Sequence, residues 1–359
     1  MAETLFGTDD VQTIKIWSKT TFYEALKNTT FKDLLGPVKQ AVIGQLTELE
    51  KGAGDSIKYD LLMKPTGRGV EGENDLEDNE EQMIYQQDSL GVNFIRQAHS
   101  FTGMTQQRTL HDLRSDAQQN LSGWGTKIMN SDCMRQLCGD TSLTFANTPV
   151  AVDSSHYVIC GAQAHGTVLA TQEALMGTSD QIDLLDLDYA KERAKTATPM
   201  CEEALFDGQK MYVAILNPFS VTDIRISTTA ATVKWQDIQQ YANLRGLKNP
   251  IFSGALGVYN NIILLEDNDI YKSRTVGSGG IYRNLFLGKQ AGVYAIANPY
   301  DQLDRKQVGK VWMSWAEQMR DYRRRKGIGV GLCFGIKACI FDGKSLGRMV
   351  MSAYGVAKG

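Results

Sequence analysis

The segment from Ile57 to Phe94 constrains the fold of this chain more than any other. Ile57, Tyr59, Leu61 and Met63 alternate with Lys58, Asp60 and Lys64, the period of two that a strand requires, and Leu62 is the one apolar residue on the polar side. Pro65 ends the run. A polar stretch follows with Gly67, Gly69 and Gly72, and then the acids Glu71, Glu73, Asp75, Glu77, Asp78, Glu80 and Glu81. A second extended run begins near Met83 and Tyr85 and continues through Leu90, Val92 and Phe94. The pattern predicts a long two-stranded finger with an acidic, glycine-rich tip. A lone hairpin is marginally stable at best in water, and a loop this long is uncommon inside a compact domain. The finger is therefore expected to lie across another copy of the protein.

The first 55 residues read as an arm rather than a domain. Pro37 stands at a first helical position, Val38, Val42, Leu46 and Leu49 form one stripe, and Gly52 and Gly54 stop it, so one amphipathic helix is expected there. Such a helix cannot bury its own apolar face and must dock on something else. After the finger, Leu110, Leu113, Ala117, Leu121, Trp124 and Ile128 step by three or four, which predicts a spine helix from about Thr105 to Leu137, stopped at Gly139. Gly123 and Gly125 each cost roughly 1 kcal/mol against alanine in a helix, so a bend or a close backbone contact is expected near Trp124.

The middle of the chain, about 145 to 325, mixes short strands with helices. Met211 to Leu216, Val258 to Leu265 and Val293 to Ala297 read as strands; Val233 to Leu244, ended by Gly246, and about Asp304 to Arg325 read as helices. The end returns to β structure, Ile328 to Phe341 and Leu346 to Tyr354 around a turn at Asp342-Gly343. Mixed elements without strict β–α alternation place the chain in the α+β class.

Composition narrows the function. Apolar residues are 42% and charged residues 22%, an ordinary folded balance, and the net charge of −3 argues against a surface that binds nucleic acid as a whole. Any basic function must be local. Cys133, Cys138, Cys160, Cys201, Cys333 and Cys339 form no Cys-x-x-Cys pair, and with four histidines they show no zinc spacing. They read as free, mostly buried thiols of a reducing compartment. Met1 to Val11 has no basic region followed by an apolar run, and no stretch nears the roughly 18 apolar residues of a membrane span, so a cytosolic protein without membrane contact is expected.

Catalytic and cofactor templates do not fit. Gly327-x-Gly329-x-Gly331 followed by Gly335 has a misplaced third glycine for a dinucleotide fingerprint and leads into an apolar strand, where glycines ease strand packing. Read as a calcium loop from Glu71, the acidic tip has Leu76 where glycine is required and Gln82 where glutamate is required. Asp183, Asp186 and Asp188, interleaved with Leu184, Leu185 and Leu187, read as the polar side of a surface segment. His99, His111, His156 and His165 have neither ligand nor triad spacing. No catalytic residue, metal or cofactor is expected.

The sharpest basic feature is Arg320-Asp-Tyr-Arg323-Arg324-Arg325-Lys326. It reads as a cationic helix end complementing the macrodipole, as a nucleic-acid contact, or as an inter-subunit patch. In the last reading Gly67, Gly69, Glu71, Glu73, Asp75, Glu77, Glu80 and Glu81 of one finger meet Arg320, Arg323, Arg324 and Arg325 of a neighbour. Single surface pairs are worth less than about 1 kcal/mol, but repetition around a closed shell makes them avid.

Several segments carry a resemblance. Lys58-Tyr-Asp-Leu-Leu-Met-Lys-Pro65, Gly69-Val-Glu-Gly72 and Leu76-Glu-Asp-Asn-Glu-Glu81 resemble the finger region of the major capsid proteins of N4-type phages. So do Arg96-Gln-Ala-His99, Met104-Thr-Gln-Gln-Arg-Thr109, Asp112-Leu-Arg114 and Leu121-Ser-Gly-Trp124, and later Phe252-Ser-Gly-Ala-Leu-Gly-Val-Tyr-Asn260 and Gly335-Ile-Lys337. The resemblance is strong between 57 and 125 and patchy from 145 to 250. It implies the HK97-like capsid fold: residues 1–55 an N-terminal arm, 56–100 the extended E-loop, 101–190 a peripheral domain with the spine helix, 191–327 an axial domain, and 328–359 strands returning to the peripheral domain. It also implies pentamers and hexamers that close an icosahedral shell around packaged double-stranded DNA touched non-specifically at the inner face, with portal, scaffold and decoration proteins as further partners. The alternatives are an encapsulin-like bacterial compartment and a cytosolic α+β enzyme with an unrecognised site.

Overall fold

Two β-sheets pack around one long helix because that helix carries buried residues along its length while the central strands of both sheets are apolar on the faces they turn inward. The computed structural model describes residues 29–37, 40–46, 55–62, 69–72, 75, 77, 80, 82–83, 85–142, 147–161, 166–206, 208–226, 257–297, 313–322 and 324–358. The described strands are β1 (Leu35–Gly36), β2 (Ile43–Leu46), β3 (Ser56–Leu62), β4 (Tyr85–Gly91), β5 (Asn93–Thr102), β6 (Tyr157–Ile159), β7 (Ala204–Phe206), β8 (Gln209–Leu216) and β9 (Gly257–Tyr259). They continue with β10 (Ile262–Glu266), β11 (Lys272–Val276), β12 (Gly279–Leu287), β13 (Gly292–Ile296), β14 (Met313–Arg320), β15 (Arg325–Ala338), β16 (Ile340–Phe341), β17 (Lys344–Ser345) and β18 (Arg348–Gly355). The α-helices are α1 (Gly103–Arg108), α2 (Leu113–Cys138), α3 (Leu169–Leu175), α4 (Leu184–Thr196) and α5 (Pro218–Ile226).

One sheet runs β1-β2-β13-β15-β14 with β5 also on β15; the other runs β6-β18-β12-β8-β10-β9, with β11 on β12 and β7 on β8. The middle of the second sheet is buried on both faces, which is why Met211–Leu216, Leu285–Leu287 and Met349–Met351 read as continuous apolar runs. The strands β3 and β4 form a two-stranded sheet of their own, as do β16 and β17.

The C-terminal end of α2 is the hub of the core. A helix leaves its last carbonyls without intrahelical partners, and they form the negative end of its dipole. Gly139 closes the helix in the left-handed region (φ 68°), where a Cβ would sit 2.9 Å from the Val150 carbonyl. Two buried arginines answer the remaining carbonyls. Arg283 of β12 donates to the Cys138 and Gly139 oxygens at 3.3 and 3.2 Å and makes a two-pronged ion pair with Glu173 of α3 at 2.7 and 2.8 Å. Arg348 of β18, fully buried, donates to the Gln136 and Val150 carbonyls at 3.0 and 2.8 Å and to Ser345 Oγ at 3.0 Å. Burial lowers the Arg348 pKa to about 10, which leaves it cationic at neutral pH. Burial works against ionised Glu173 as well, but the Arg283 hydrogen bonds win and hold its carboxyl below the ordinary value.

Three expectations change. The helix expected across Pro37 to Gly52 is, over Ile43–Leu46, the strand β2 parallel to β13, with Ile43 beside Gly292 and Leu46 beside Ala295. Val42 and Ile43 are β-branched and Gly44 would cost about 1 kcal/mol inside a helix, so sheet pairing overrides the spacing. Residues 38, 39 and 47–54 of that expectation lie outside the described residues. The helix expected from Asp304 to Arg325 is strand β14 over Met313–Arg320; 298–312 lie outside the described residues, as does the helix expected at 233–244. The spine helix begins at Leu113 rather than Thr105, because Thr102 and Asp112 each cap a separate helix by accepting from Thr105 N and Arg114 N. From Leu113 it runs unbroken past Trp124, and a Cβ on Gly123 would meet nothing within 4 Å.

The Asp183–Asp188 segment also differs from its surface reading. Asp183 and Asp186 form a capping box at the start of α4, and Asp186 is buried. Burial pushes the Asp186 carboxyl from 3.8 to about 6, and burial does the same to Asp132 of α2, also to about 6. Both folded values exceed the unfolded ones, so between about pH 4 and 6 the folded chain holds the extra protons and stability falls as pH rises. Asp186→Asn and Asp132→Asn are each expected to raise the melting temperature of the unassembled protein at pH 7, by up to roughly 2–3 kcal/mol of stability, with the gain disappearing near pH 4. Thermal unfolding at the two pH values checks this; an equal effect at both would contradict it.

Candidate subunit interfaces

The root of the finger is seated on the body of its own chain. Strands β3 and β4 pair in register from Ser56 opposite Gly91 to Leu62 opposite Tyr85. Ile57 and Leu90 are buried against Val293, Cys339 and Phe341. One step out, the Tyr59 hydroxyl donates to Asp88 at 2.7 Å, its ring meets Phe341 edge-on with centroids 6.0 Å apart, and Lys337 pairs with Asp88 and donates to the Ser89 carbonyl at 2.9 Å. Below them Asn147 clamps the root: its side chain accepts from Gly91 N at 2.8 Å and donates to Gly91 O at 2.7 Å. Gly335 of β15 is required here, since a Cβ would lie 2.1 Å from the Gly91 carbonyl. Beyond the Tyr59–Asp88 pair the side chains of Asp60, Gln87, Tyr85, Met83 and Gln82 are exposed. Of the loop residues singled out from the sequence, Gly69, Glu71, Asp75, Glu77 and Glu80 are exposed, and Gly67, Glu73 and Glu81 lie outside the described residues.

The basic residues belong to a different projection. Strand β15 is flanked over its first half by β5 and β14, so Thr102, Arg325 and Arg320 stand together at the far end of a three-stranded ribbon. The cluster is thus the tip of a β-hairpin and not a helix end, which removes the macrodipole reading. Arg320, Arg324 and Arg325 are exposed; Arg323 lies outside the described residues. Arg324 pairs with Asp321 within the turn, while Arg114 of α2 and Lys326 both pair with Glu317 at 2.7 and 2.9 Å and fasten the ribbon to the spine. Finger loop and ribbon tip are carried by separate sheets.

The glycine run is part of this ribbon: Gly327, Gly329 and Gly331 alternate along β15 with buried Ile328, Val330 and Leu332, an extended strand and not a nucleotide turn. Among the histidines, His156 is fully buried with Nδ1 facing Asp153 at 2.7 Å and Ser155 at 2.9 Å, and Nε2 facing the Pro199 carbonyl at 2.9 Å. Serine and aspartate share one ring nitrogen, so the trio cannot relay a proton from serine through imidazole. It braces the turn before β6. The six cysteines are all buried and unpaired, and burial raises the thiols of Cys138, Cys201 and Cys339 to about 12, which leaves them unreactive. Among the described residues no helix is long and apolar enough to cross a membrane.

A finger that leaves its own body and a ribbon with an exposed tip suit a chain that interlocks with others, and the comparisons with known proteins agree. The family model described as phage capsid protein matches residues 5–356. This chain belongs to the phage capsid protein family. Relatives of the phage capsid protein include the major capsid protein of Pseudomonas phage KPP25, 26% identical over 366 residues and covering 89% of this chain and 87% of that one. The capsid of Ralstonia phage GP4 superposes with a TM-score of 0.75 at 23% identity, over 100% of this chain and 96% of that one. The Cyanophage Pam1 capsid asymmetric unit superposes at 0.73 with 18% identity, over 93% and 94%. The α+β architecture is the HK97-like capsid fold. As a phage capsid protein it is structural, not enzymatic, and its place is the shell of the virion head, built with copies of itself. The compartment-shell and enzyme readings fall away.

Proposed function

We propose that this phage capsid protein is the major head protein, that its copies group as pentamers and hexamers in a closed icosahedral shell, and that the shell holds packaged double-stranded DNA. The finger carries this reading, because past Tyr59 and Asp88 its strands expose Asp60, Tyr85 and Gln87, and water alone does not stabilise a two-stranded ribbon. Residues 1–55 act as the arm, 56–100 as the E-loop, 101–190 and 328–359 as the peripheral domain and 191–327 as the axial domain; the affinity to N4-type proteins rests on the motifs between 57 and 125. Portal, scaffold and decoration proteins complete the head, and DNA touches the inner face without sequence preference.

Within this shell the acidic finger loop of one copy, with Gly67, Gly69, Glu71, Glu73, Asp75, Glu77, Glu80 and Glu81, meets Arg320, Arg323, Arg324 and Arg325 of a neighbour. Opposite charges give orientation and encounter rate more than affinity, and they weaken with salt. Reversing Arg320, Arg324 and Arg325 to glutamate is expected to leave the monomer folded, slow assembly at low salt, and flatten its salt dependence. Light scattering across a salt series reads this. Unchanged assembly and unchanged salt dependence would sink the charge match while leaving the shell itself standing.

A further inference from the structure

Two aspartates in the loop between β10 and β11 face the spine helix with no basic partner among the described residues. The Asp267 backbone N–H donates to the Leu216 carbonyl at 3.0 Å, which fixes the start of this loop on β8. The Asp267 carboxylate accepts from the Asp269 backbone N–H at 2.7 Å, so the loop turns and brings both side chains to α2. There they meet Asn130. Its Nδ2 lies 3.2 and 2.9 Å from the two Asp267 oxygens and 2.9 Å from Asp269 Oδ2. Asp267 and Asn130 are both buried, each 6% exposed, while half-buried Asp269 gives the group its opening to water.

This group is short of positive charge. Among the described residues no lysine, arginine or histidine pairs with Asp267 or Asp269, although buried charges are ordinarily paired or coordinate a metal. One neutral amide nitrogen has only two hydrogens to share among the three carboxylate oxygens. Asn130 Oδ1, on the same buried amide, has no hydrogen-bond partner, a state few buried polar atoms are left in. The negative charge is felt further along α2. The buried Cys133 thiol is pushed well above its ordinary value, by burial first and by Asp267 second.

Turning the amide about its last side-chain bond exchanges Oδ1 and Nδ2 and leaves its shape unchanged. An amide oxygen then stands where the nitrogen is, 2.9 to 3.2 Å from three carboxylate oxygens. That is the spacing of neighbouring ligands around an ion that binds oxygen at roughly 2.3–2.6 Å. Two carboxylates, one amide oxygen and water from the Asp269 side suit calcium, whose shell is flexible; magnesium demands a stricter octahedron. Among the described residues no three His, Cys, Asp or Glu side chains gather for a metal, which makes the amide the third ligand here.

We propose that Asn130, Asp267 and Asp269 form a calcium site that pins the spine helix to the β10–β11 loop. All three ligands belong to one chain, so the site is independent of the shell reading, and it is separate from the acidic finger. Spacing along the sequence does not reveal it, because Asn130 and Asp267 are 137 residues apart.

The unassembled full chain, stripped with a chelator, is titrated with calcium chloride by calorimetry while its thermal unfolding is followed in parallel. One site per chain is expected, with a saturable rise in melting temperature of several degrees that sodium chloride at equal ionic strength does not reproduce. Asn130→Asp supplies a third carboxylate and is expected to bind calcium about tenfold tighter or more, yet to melt lower in chelator. An asparagine with a merely structural role would lose stability in both conditions. Asp269→Asn keeps the size of a half-buried side chain and is expected to weaken calcium binding about tenfold or more. No calcium-dependent rise in the unaltered chain would overturn the proposal. So would an equal rise with magnesium, or a rise that Asp269→Asn retains in full.

Discussion

Arg348→Met is expected to abolish the folded state at 37 °C. The side chain is fully buried, and its donors are shared among the Gln136, Leu137, Val150 and Ala151 carbonyls and Ser345 Oγ. Methionine fills much of the volume but donates nothing, so several buried acceptors lose their partner at roughly 1–3 kcal/mol each. About 5 kcal/mol or more is then lost, against a total of about 5–15 for an ordinary domain. Arg348→Lys keeps the charge but not the fork and should be milder. Soluble yield and thermal unfolding measure both; an Arg348→Met protein within about 1 kcal/mol of the original would show that the helix end does not need this cap.

Removing the distal finger is expected to do the reverse, sparing the fold and destroying assembly. Tyr59 and Asp88 are opposite one another in register, so an Asn-Gly turn can join them in place of residues 60–87. The root contacts with Phe341, Lys337 and Asn147 all remain. The melting temperature of the unassembled chain should therefore move by only a few degrees, while the shortened protein forms no particles at any salt concentration. Particles of normal size from the shortened chain would show that the finger is not what holds neighbours together.

The paired strands of the finger were legible in the sequence because strict alternation from Ile57 to Leu61 has one physical meaning, and because glycine and acid cannot build a core. The spine was legible from Ala117 and Leu121 onward, though Leu110, counted in the same seam, points to water from the loop before it. Other parts were hidden by non-local pairing. Glu317, Gln318, Met319 and Arg320 are good helix formers that become strand because β15 offers a partner with apolar residues turned to the spine. The same holds for Ile43–Leu46 beside β13. Arg283 and Arg348 look like any exposed cation until the carbonyls of residues 136–139 are seen to end beneath them. The charges of the proposed interface were visible from the sequence, but the exposure of Tyr322 and Leu110 was not, since exposure is set by tertiary structure alone.

Electron microscopy of the purified, unaltered chain tests the central claim most directly. The account predicts closed icosahedral shells, or tubes of the same lattice, appearing above a threshold concentration. A well-dispersed monomer at every concentration and salt condition, with no assembly, would contradict it.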